Sequence, residues 1–307
     1  SVSGGIVNNK KIVRAPFICI FILLVAFLLG TIERNQVWIN EVSLWTDAKQ
    51  KTPNKPRVYN NLGEAYDKLG DYDLAIKEFE AGLRLNSNYF FALSNLGNVY
   101  GKKKEYAQAI AYTEKALQIK PNYAPGHYNL AKALHLTGKT DQAVTSYRLA
   151  IKYNPYFEEA FFNLGFLLLE RKQFMEAVDS FKKFLSIQPK HPKVHFGLGS
   201  AYSMMGKQEE AKQYFGNAIV YDPEFLSPYI NLANLHMSEG KIMKAKKLLK
   251  IVLLKNKDLA GVHKNMGLIL LQENDVVNAS EYFKEYLRLM PMAPDAPAIK
   301  SFLQNKK

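Results

Sequence analysis

Residues 56–89 read PRVYNNLGEAYDKLGDYDLAIKEFEAGLRLNSNY. Two small residues, Gly63 and Ala75, stand twelve positions apart, Phe79 follows four later, and Gly70 lies between them. Two antiparallel helices satisfy this spacing. The small residues let the helices approach closely, and the phenyl ring fills the gap to whatever packs next. Gly70 supplies the left-handed residue that ends the first helix.

The same pattern returns along the chain. The pairs Leu62-Gly63, Leu96-Gly97, Leu130-Ala131, Leu164-Gly165, Leu198-Gly199, Leu232-Ala233 and Met266-Gly267 recur every 34 residues without an insertion. Each is followed by a small residue: Ala75, Ala109, Ala143, Ala177, Ala211, Ala245 and Ala279. Four further on stand Phe79, Tyr147, Phe181, Phe215, Leu249 and Phe283, with Thr113 as the exception. Gly70, Gly138, Gly206, Gly240 and Asn274 hold the inter-helix turn, and Lys104 and Lys172 take that place in the other two repeats. Prolines 121, 155, 189, 223 and 291 close five repeats, where they stop the second helix, while Ser87 and Lys257 stand there in the others.

These positions resemble the tetratricopeptide repeat (TPR) signature over about three quarters of the chain. The resemblance implies an all-α fold, a right-handed superhelix of helical hairpins. Seven repeats are expected at 56–89, 90–123, 124–157, 158–191, 192–225, 226–259 and 260–293. Backwards in the same register, Trp45, Ala48 and Pro53 make 33–55 a junction with a half-repeat helix, and 294–307 a C-terminal capping helix that Asp295 would N-cap.

Upstream, Ala15 to Ile32 reads APFICIFILLVAFLLGTI without a charge, and Ile12 and Val13 extend it past Arg14. As a helix this stretch is about 27 Å long, close to the hydrocarbon thickness. A transmembrane helix over 12–32 is therefore expected, with 1–11 as a cytoplasmic segment. Lys10, Lys11 and Arg14 flank its start, whereas Glu33 and Arg34 cancel beyond it. Cationic flanks stay cytoplasmic, which puts the repeats in a periplasm or a lumen. The bilayer and other membrane helices are the expected partners of this segment.

Composition excludes several classes. With 307 residues, 48% hydrophobic and 22% charged, the chain is not disordered, and its single Cys19 excludes a disulfide scaffold or a cysteine-rich zinc site. A mean hydropathy of −0.20 excludes a polytopic membrane protein for the chain as it stands. The aromatic excess, 18 Tyr and 18 Phe, is the packing layer of the repeats. The net charge of +13 comes from 41 basic and 28 acidic residues spread over helix faces, so nucleic acid is not an expected partner.

Hairpin stacks of this kind expose their first helices on a concave face. There, the residue before each Leu/Met pair is Asn61, Asn95, Asn129, Asn163, Gly197, Asn231 and Asn265. An amide offers both a donor and an acceptor, as does an extended peptide backbone, so such a row suits protein or peptide segments irrespective of their sequence. A similar asparagine ladder lines the peptide groove of the O-linked N-acetylglucosamine transferases. Phe91, Tyr128, Phe162, Phe166, Phe196 and Lys132 are expected around it, among sparse charges at Arg57, Glu64 and Lys102. The carboxylate clamp of TPR cochaperones is absent, because Asn60 and Glu64 stand where Lys and Asn are required.

No phosphate loop, nucleophile elbow or metal-ligand cluster appears, so no catalytic residue, metal or cofactor is expected. His127, His195 and His263 share one repeat position with Tyr59 and Tyr229, which makes them packing residues. The run of Lys241, Lys244, Lys246, Lys247, Lys250, Lys255 and Lys257 reads as a solvated face or an anionic contact. Finally, Arg34-Asn35, Trp38 and Leu44-Trp45 ahead of the repeats resemble the C-terminal portion of multi-pass protein O-mannosyltransferases. That likeness implies capture of acceptor polypeptides beside a catalytic module that this chain does not contain. Two readings stay open: a tethered TPR scaffold, or the non-catalytic C-terminal part of a membrane glycosyltransferase.

Overall fold

The computed structural model describes residues 10–304, with side chains described from Cys19 onward save those at 32, 33, 36 and 37. Among the described residues the chain forms seventeen α-helices and no strand. α1 (Lys10–Val37) and α2 (Glu41–Lys51) precede seven helix pairs. The pairs are α3 (Pro56–Leu69) with α4 (Tyr72–Leu85), α5 (Phe90–Lys102) with α6 (Tyr106–Ile119), α7 (Ala124–Leu136) with α8 (Thr140–Tyr153), and α9 (Glu158–Glu170) with α10 (Phe174–Ile187). Then come α11 (Pro192–Met204) with α12 (Gln208–Tyr221), α13 (Leu226–Ser238) with α14 (Ile242–Lys255), and α15 (Ala260–Gln272) with α16 (Val276–Leu289). α17 (Ala296–Gln304) ends the described chain. Two compact units divide within α8, between Ser146 and Tyr147.

In the first unit, Asn40 starts α2 with a capping box, its side chain accepting the Ser43 N–H at 2.8 Å. Lys49 of α2 pairs with the buried Glu78 of α4 at 2.7 Å and lies 5.0 Å from the centroid of the Tyr59 ring, which fastens α2 to the first hairpin. Phe79 is fully buried, and a Cβ built on Gly63 would come within 2.6 Å of its ring. In the next hairpin the exceptional Thr113 does the same work, because its hydroxyl fills the space beside Gly97.

In the second unit the rings repeat this arrangement. Phe215 lies 2.6 Å from a Cβ built on Gly199, and Phe283 lies 2.7 Å from one built on Gly267. Ala177, Ala211, Ala245 and Ala279 are fully buried, as the close helix approach requires. Asp295 does something other than the capping expected of its carboxylate. It accepts the Tyr286 hydroxyl and pairs with Lys264, both at 2.5 Å, so it fastens α15 and α16 to the last turn. The hydrogen bond to Asp295 pushes the Tyr286 phenol up to about 12, and Lys264 together with Tyr286 holds the Asp295 carboxyl below its usual range.

The seven inter-helix turns share one left-handed residue, at φ 83° in Gly70, 78° in Gly138, 75° in Gly206 and 71° in Gly240. Lys104 at 63°, Lys172 at 59° and Asn274 at 60° adopt it too. A side chain in this region costs about 1–2 kcal/mol, and glycine gives part of that back in chain entropy. Lys104→Gly and Lys172→Gly are therefore each expected to stabilise the chain by about 0.5–1 kcal/mol. A fall in the urea midpoint of either variant would contradict this.

The membrane span expected over 12–32 is not shown. Among the described residues no helix is long and apolar enough to cross a membrane. Side chains 12–18 and 32 of that span, with those of Lys10, Lys11 and Arg14 on its flank, lie outside the described residues, as do Lys306 and Lys307. What is described is a helix α1 whose large apolar side chains from Ile20 to Leu29 are exposed, Phe27 at 75% and Phe21 at 67%.

Candidate functional site

Repeat positions are counted here from Pro56 as position one, so the asparagine row is position six. In the first unit Asn61, Asn95 and Asn129 are all half-buried on α3, α5 and α7. They do not behave alike. Asn95 donates through Nδ2 to Glu64 Oε1 at 2.8 Å and to Asn60 Oδ1 at 3.0 Å, both on the preceding first helix. Asn60 donates in turn to Glu64 at 2.8 Å and, more weakly at 3.4 Å, to Asn61. Asn129 makes no hydrogen bond among the described residues and borders a cavity of about 90 Å³ together with Asn98, Lys102 and Lys132. Phe91 is 56% exposed, and Lys132 is exposed with its ammonium 5.5 Å from the Tyr128 ring.

In the second unit Asn163, Asn231 and Asn265 are again half-buried. Asn265 donates to Asn234 of the preceding first helix at 2.7 Å, and Asn231 makes no hydrogen bond among the described residues. A rule therefore emerges: the position-six amide reaches back to position nine of the repeat before, as in Asn95 to Glu64 and Asn265 to Asn234. The gap in the row at Gly197 has a steric cause, since a Cβ there would lie 2.7 Å from Phe181 Cζ. The expected aromatics of this unit are half-buried and packed against other rings. Phe162 stacks at 4.8 Å from Phe166 and 5.5 Å from His191, Phe166 at 5.0 Å from Phe181, and Phe196 at 5.1 Å from Phe225. Burial and the Lys193 charge hold His191 below the usual histidine range.

One feature escaped the sequence reading, although its signal was the His/Tyr alternation at position four. His127, His195 and His263 each place Nε2 within 2.7–2.8 Å of a carbonyl six residues upstream, on Pro121, Pro189 and Lys257. The hydroxyls of Tyr59 and Tyr229 donate to Pro53 and Pro223 in the same way, at 2.8 and 3.3 Å. Each bond ties a first helix to the chain that leads into it. The histidines are thus packing groups held through Nε2. Among the described residues no cluster of three or more His, Cys, Asp or Glu could hold a metal ion.

The lysine run also resolves into parts. Lys246 pairs with Glu273, Lys255 with Glu224, and Lys241 with Glu239 at 2.9 Å. Hydrogen bonds from Lys212 and Lys241 hold the Glu239 carboxyl at about 2. Lys244, Lys247, Lys250 and Lys257 remain exposed. A further cavity of about 830 Å³ lies against α2 and α3, lined by Asn40, Val42, Thr46, Tyr66 and Leu69, and touches no residue of the asparagine row.

Tandem helical hairpins with left-handed turns, small-residue crossings and a polar row on the first helices define a helical-repeat protein. Comparison with known families gives the particular repeat. Tetratricopeptide repeat models match residues 56–89 and 90–123, 112–145 and 180–213, and 159–191, and a TPR repeat model matches 133–171. Together they tile 56–213, and the chain belongs to the tetratricopeptide repeat proteins.

Solved structures share the fold. PilF of Pseudomonas aeruginosa matches with a TM-score of 0.59 at 22% identity, covering 69% of this chain and 96% of that one. A tetratricopeptide repeat protein from Parabacteroides merdae matches at 0.57 and 22%, covering 81% and 97%. YrrB, described as a TPR protein with an unusual peptide-binding site, matches at 0.54 and 23%, covering 64% and 97%. Among curated proteins, the protein O-mannosyl-transferase TMTC3 of Mus musculus is 26% identical over 74 residues, which is 24% of this chain. The match spans only 8% of that protein's length.

Proposed function

We propose that the chain is a membrane-tethered scaffold that holds extended polypeptide segments on the position-six row of its first helices. What supports this is the state of Asn129 and Asn231, whose half-buried side-chain amides have no protein partner among the described residues. An amide not used within the protein is available to a ligand, and a peptide backbone matches its donor and acceptor together. The row falls in two sets, one in each compact unit. Asn95 and Asn265 serve it as rungs between repeats, and Phe91 offers an exposed ring for an apolar side chain. The similar fold of YrrB, itself described as having a peptide-binding site, agrees with such a use.

The tether is α1, whose exposed apolar side chains between Ile20 and Leu29 are unsuited to water. Residues 12–32 would cross the bilayer and meet other membrane helices, with Lys10, Lys11 and Arg14 on the cytoplasmic side and the repeats in a periplasm or a lumen. Binding is assigned to this chain and catalysis is not. The likeness to TMTC3 supports a second reading, in which the repeats are the acceptor-binding part of a membrane glycosyltransferase of the O-mannosyltransferase kind.

The test uses the full chain in detergent micelles and a set of charge-free twelve-residue peptides, with binding followed by fluorescence anisotropy. Asn129→Ala combined with Asn231→Ala is expected to weaken binding about tenfold, or about 1.4 kcal/mol. Unchanged affinity in that double variant would remove the asparagine row from the site.

A further inference from the structure

Glu64 stands at position nine of the first repeat, half-buried on α3. Its Oε1 receives two amide donors at 2.8 Å, one from Asn60 and one from Asn95. Asn60 is itself only 3% exposed, and its Oδ1 takes the second amide hydrogen of Asn95 at 3.0 Å. Three side chains thus close a ring across α3 and α5 that fixes the carboxylate through one of its two oxygens. The other oxygen, Oε2, has no partner among the described residues. Nor does a cation close on it: Lys68, near enough to feel its charge, is paired instead with Glu41 at 2.7 Å, and Arg57 makes no ion pair among the described residues.

Two neutral amides orient a carboxylate but form no ion pair with it. A fixed carboxylate with an open oxygen is a receptor for a cationic donor. Further along the same unit, position nine is Asn98 on α5 and Lys132 on α7, both beside Asn129 at the small cavity. The exposed Lys132 makes no ion pair among the described residues. The position-nine row therefore runs carboxylate, amide, ammonium over three successive first helices.

We propose that this row selects an extended polypeptide carrying a charge pair: a Lys or Arg that docks on Glu64 Oε2 and an Asp or Glu that docks on Lys132. This rests on the peptide-holding function proposed above and adds a chemical class to it. Packed helices lie about 8–10 Å apart and an extended strand advances about 3.3 Å per residue. Two steps of the row therefore correspond to about five or six residues between the two charges.

The experiment takes the full chain in detergent micelles and three twelve-residue peptides of Ser, Thr and Ala. One carries Lys at residue three and Glu at residue nine, the second has these two exchanged, and the third has Gln at both. One charge order is expected to bind at least tenfold tighter than the Gln peptide, an advantage that shrinks with added salt. Glu64→Gln keeps the acceptor for both amides and removes the charge, so it is expected to erase this preference while the thermal midpoint stays put. Equal affinities of the three peptides would overturn the charge row and leave the peptide-holding function standing, as would a preference that survives in Glu64→Gln. Failure of all three peptides to bind would overturn both.

Discussion

Phe181→Ala is expected to lower the stability of the second compact unit by about 3–5 kcal/mol, the usual cost of emptying a fully buried phenyl site. Its ring is fully buried and serves three helices at once. A Cβ on Gly165 of α9 would lie 2.5 Å from Phe181 Cε1, and one on Gly197 of α11 would lie 2.7 Å from its Cζ, while Phe166 stacks at 5.0 Å. Nothing flexible borders the vacated space on the glycine sides, so collapse is limited and the cavity term stays large. In a stack where each repeat touches its neighbours, the loss is expected in hydrogen exchange of α9, α10 and α11 first. Uniform loss of protection over the whole chain, or a change below about 1 kcal/mol, would contradict this account.

The same ring explains the break in the asparagine row. Gly197→Asn, which would complete the row, forces a Cβ into the Phe181 ring and is expected to destabilise rather than to improve binding. Combined with Phe181→Ala, its cost should be smaller than the sum of the two, because the new side chain enters the space the ring has left.

That break marks where the sequence stops being readable. A 34-residue period is visible in one dimension, so the paired helices and the left-handed turns follow from it, including the unlikely Lys104 and Lys172, which only their repeat phase betrays. Thr113 and Gly197 look like lapses of the pattern in one dimension, yet each is dictated by a neighbour across a helix interface. The site is less legible for the same reason. Position six was recognisable as a row, but the sequence does not say that Asn95 and Asn265 spend their donors on the preceding repeat while Asn129 and Asn231 keep theirs. Phe162 and Phe166 face each other, and α10 and α12 bring Phe184 against Phe162 and Phe215 against Phe196. Asp295 sits at a capping position by sequence, and Tyr286 and Lys264 reach it first.

The position-four bond offers a sharper separation of shape from hydrogen bonding. His195 is 5% exposed and its Nε2 lies 2.8 Å from the Pro189 carbonyl, just past the end of α10 where no helical donor is available. Since a carbonyl only accepts, Nε2 carries the proton, and Nδ1 of His195 and of His263 is left buried without a partner among the described residues. His195→Phe keeps the ring packed at 5.7 Å from Tyr214 and 5.0 Å from Tyr221 but strands the carbonyl, and is expected to cost about 1–3 kcal/mol. His195→Tyr restores a donor that Tyr59 and Tyr229 already use at this position, and it carries no second ring nitrogen to leave unsatisfied. It is expected to match the parent chain in urea unfolding. Because the Phe and Tyr variants differ by one oxygen, their difference measures the bond itself, and equal midpoints would show that the carbonyl tie contributes nothing to holding one repeat on the next.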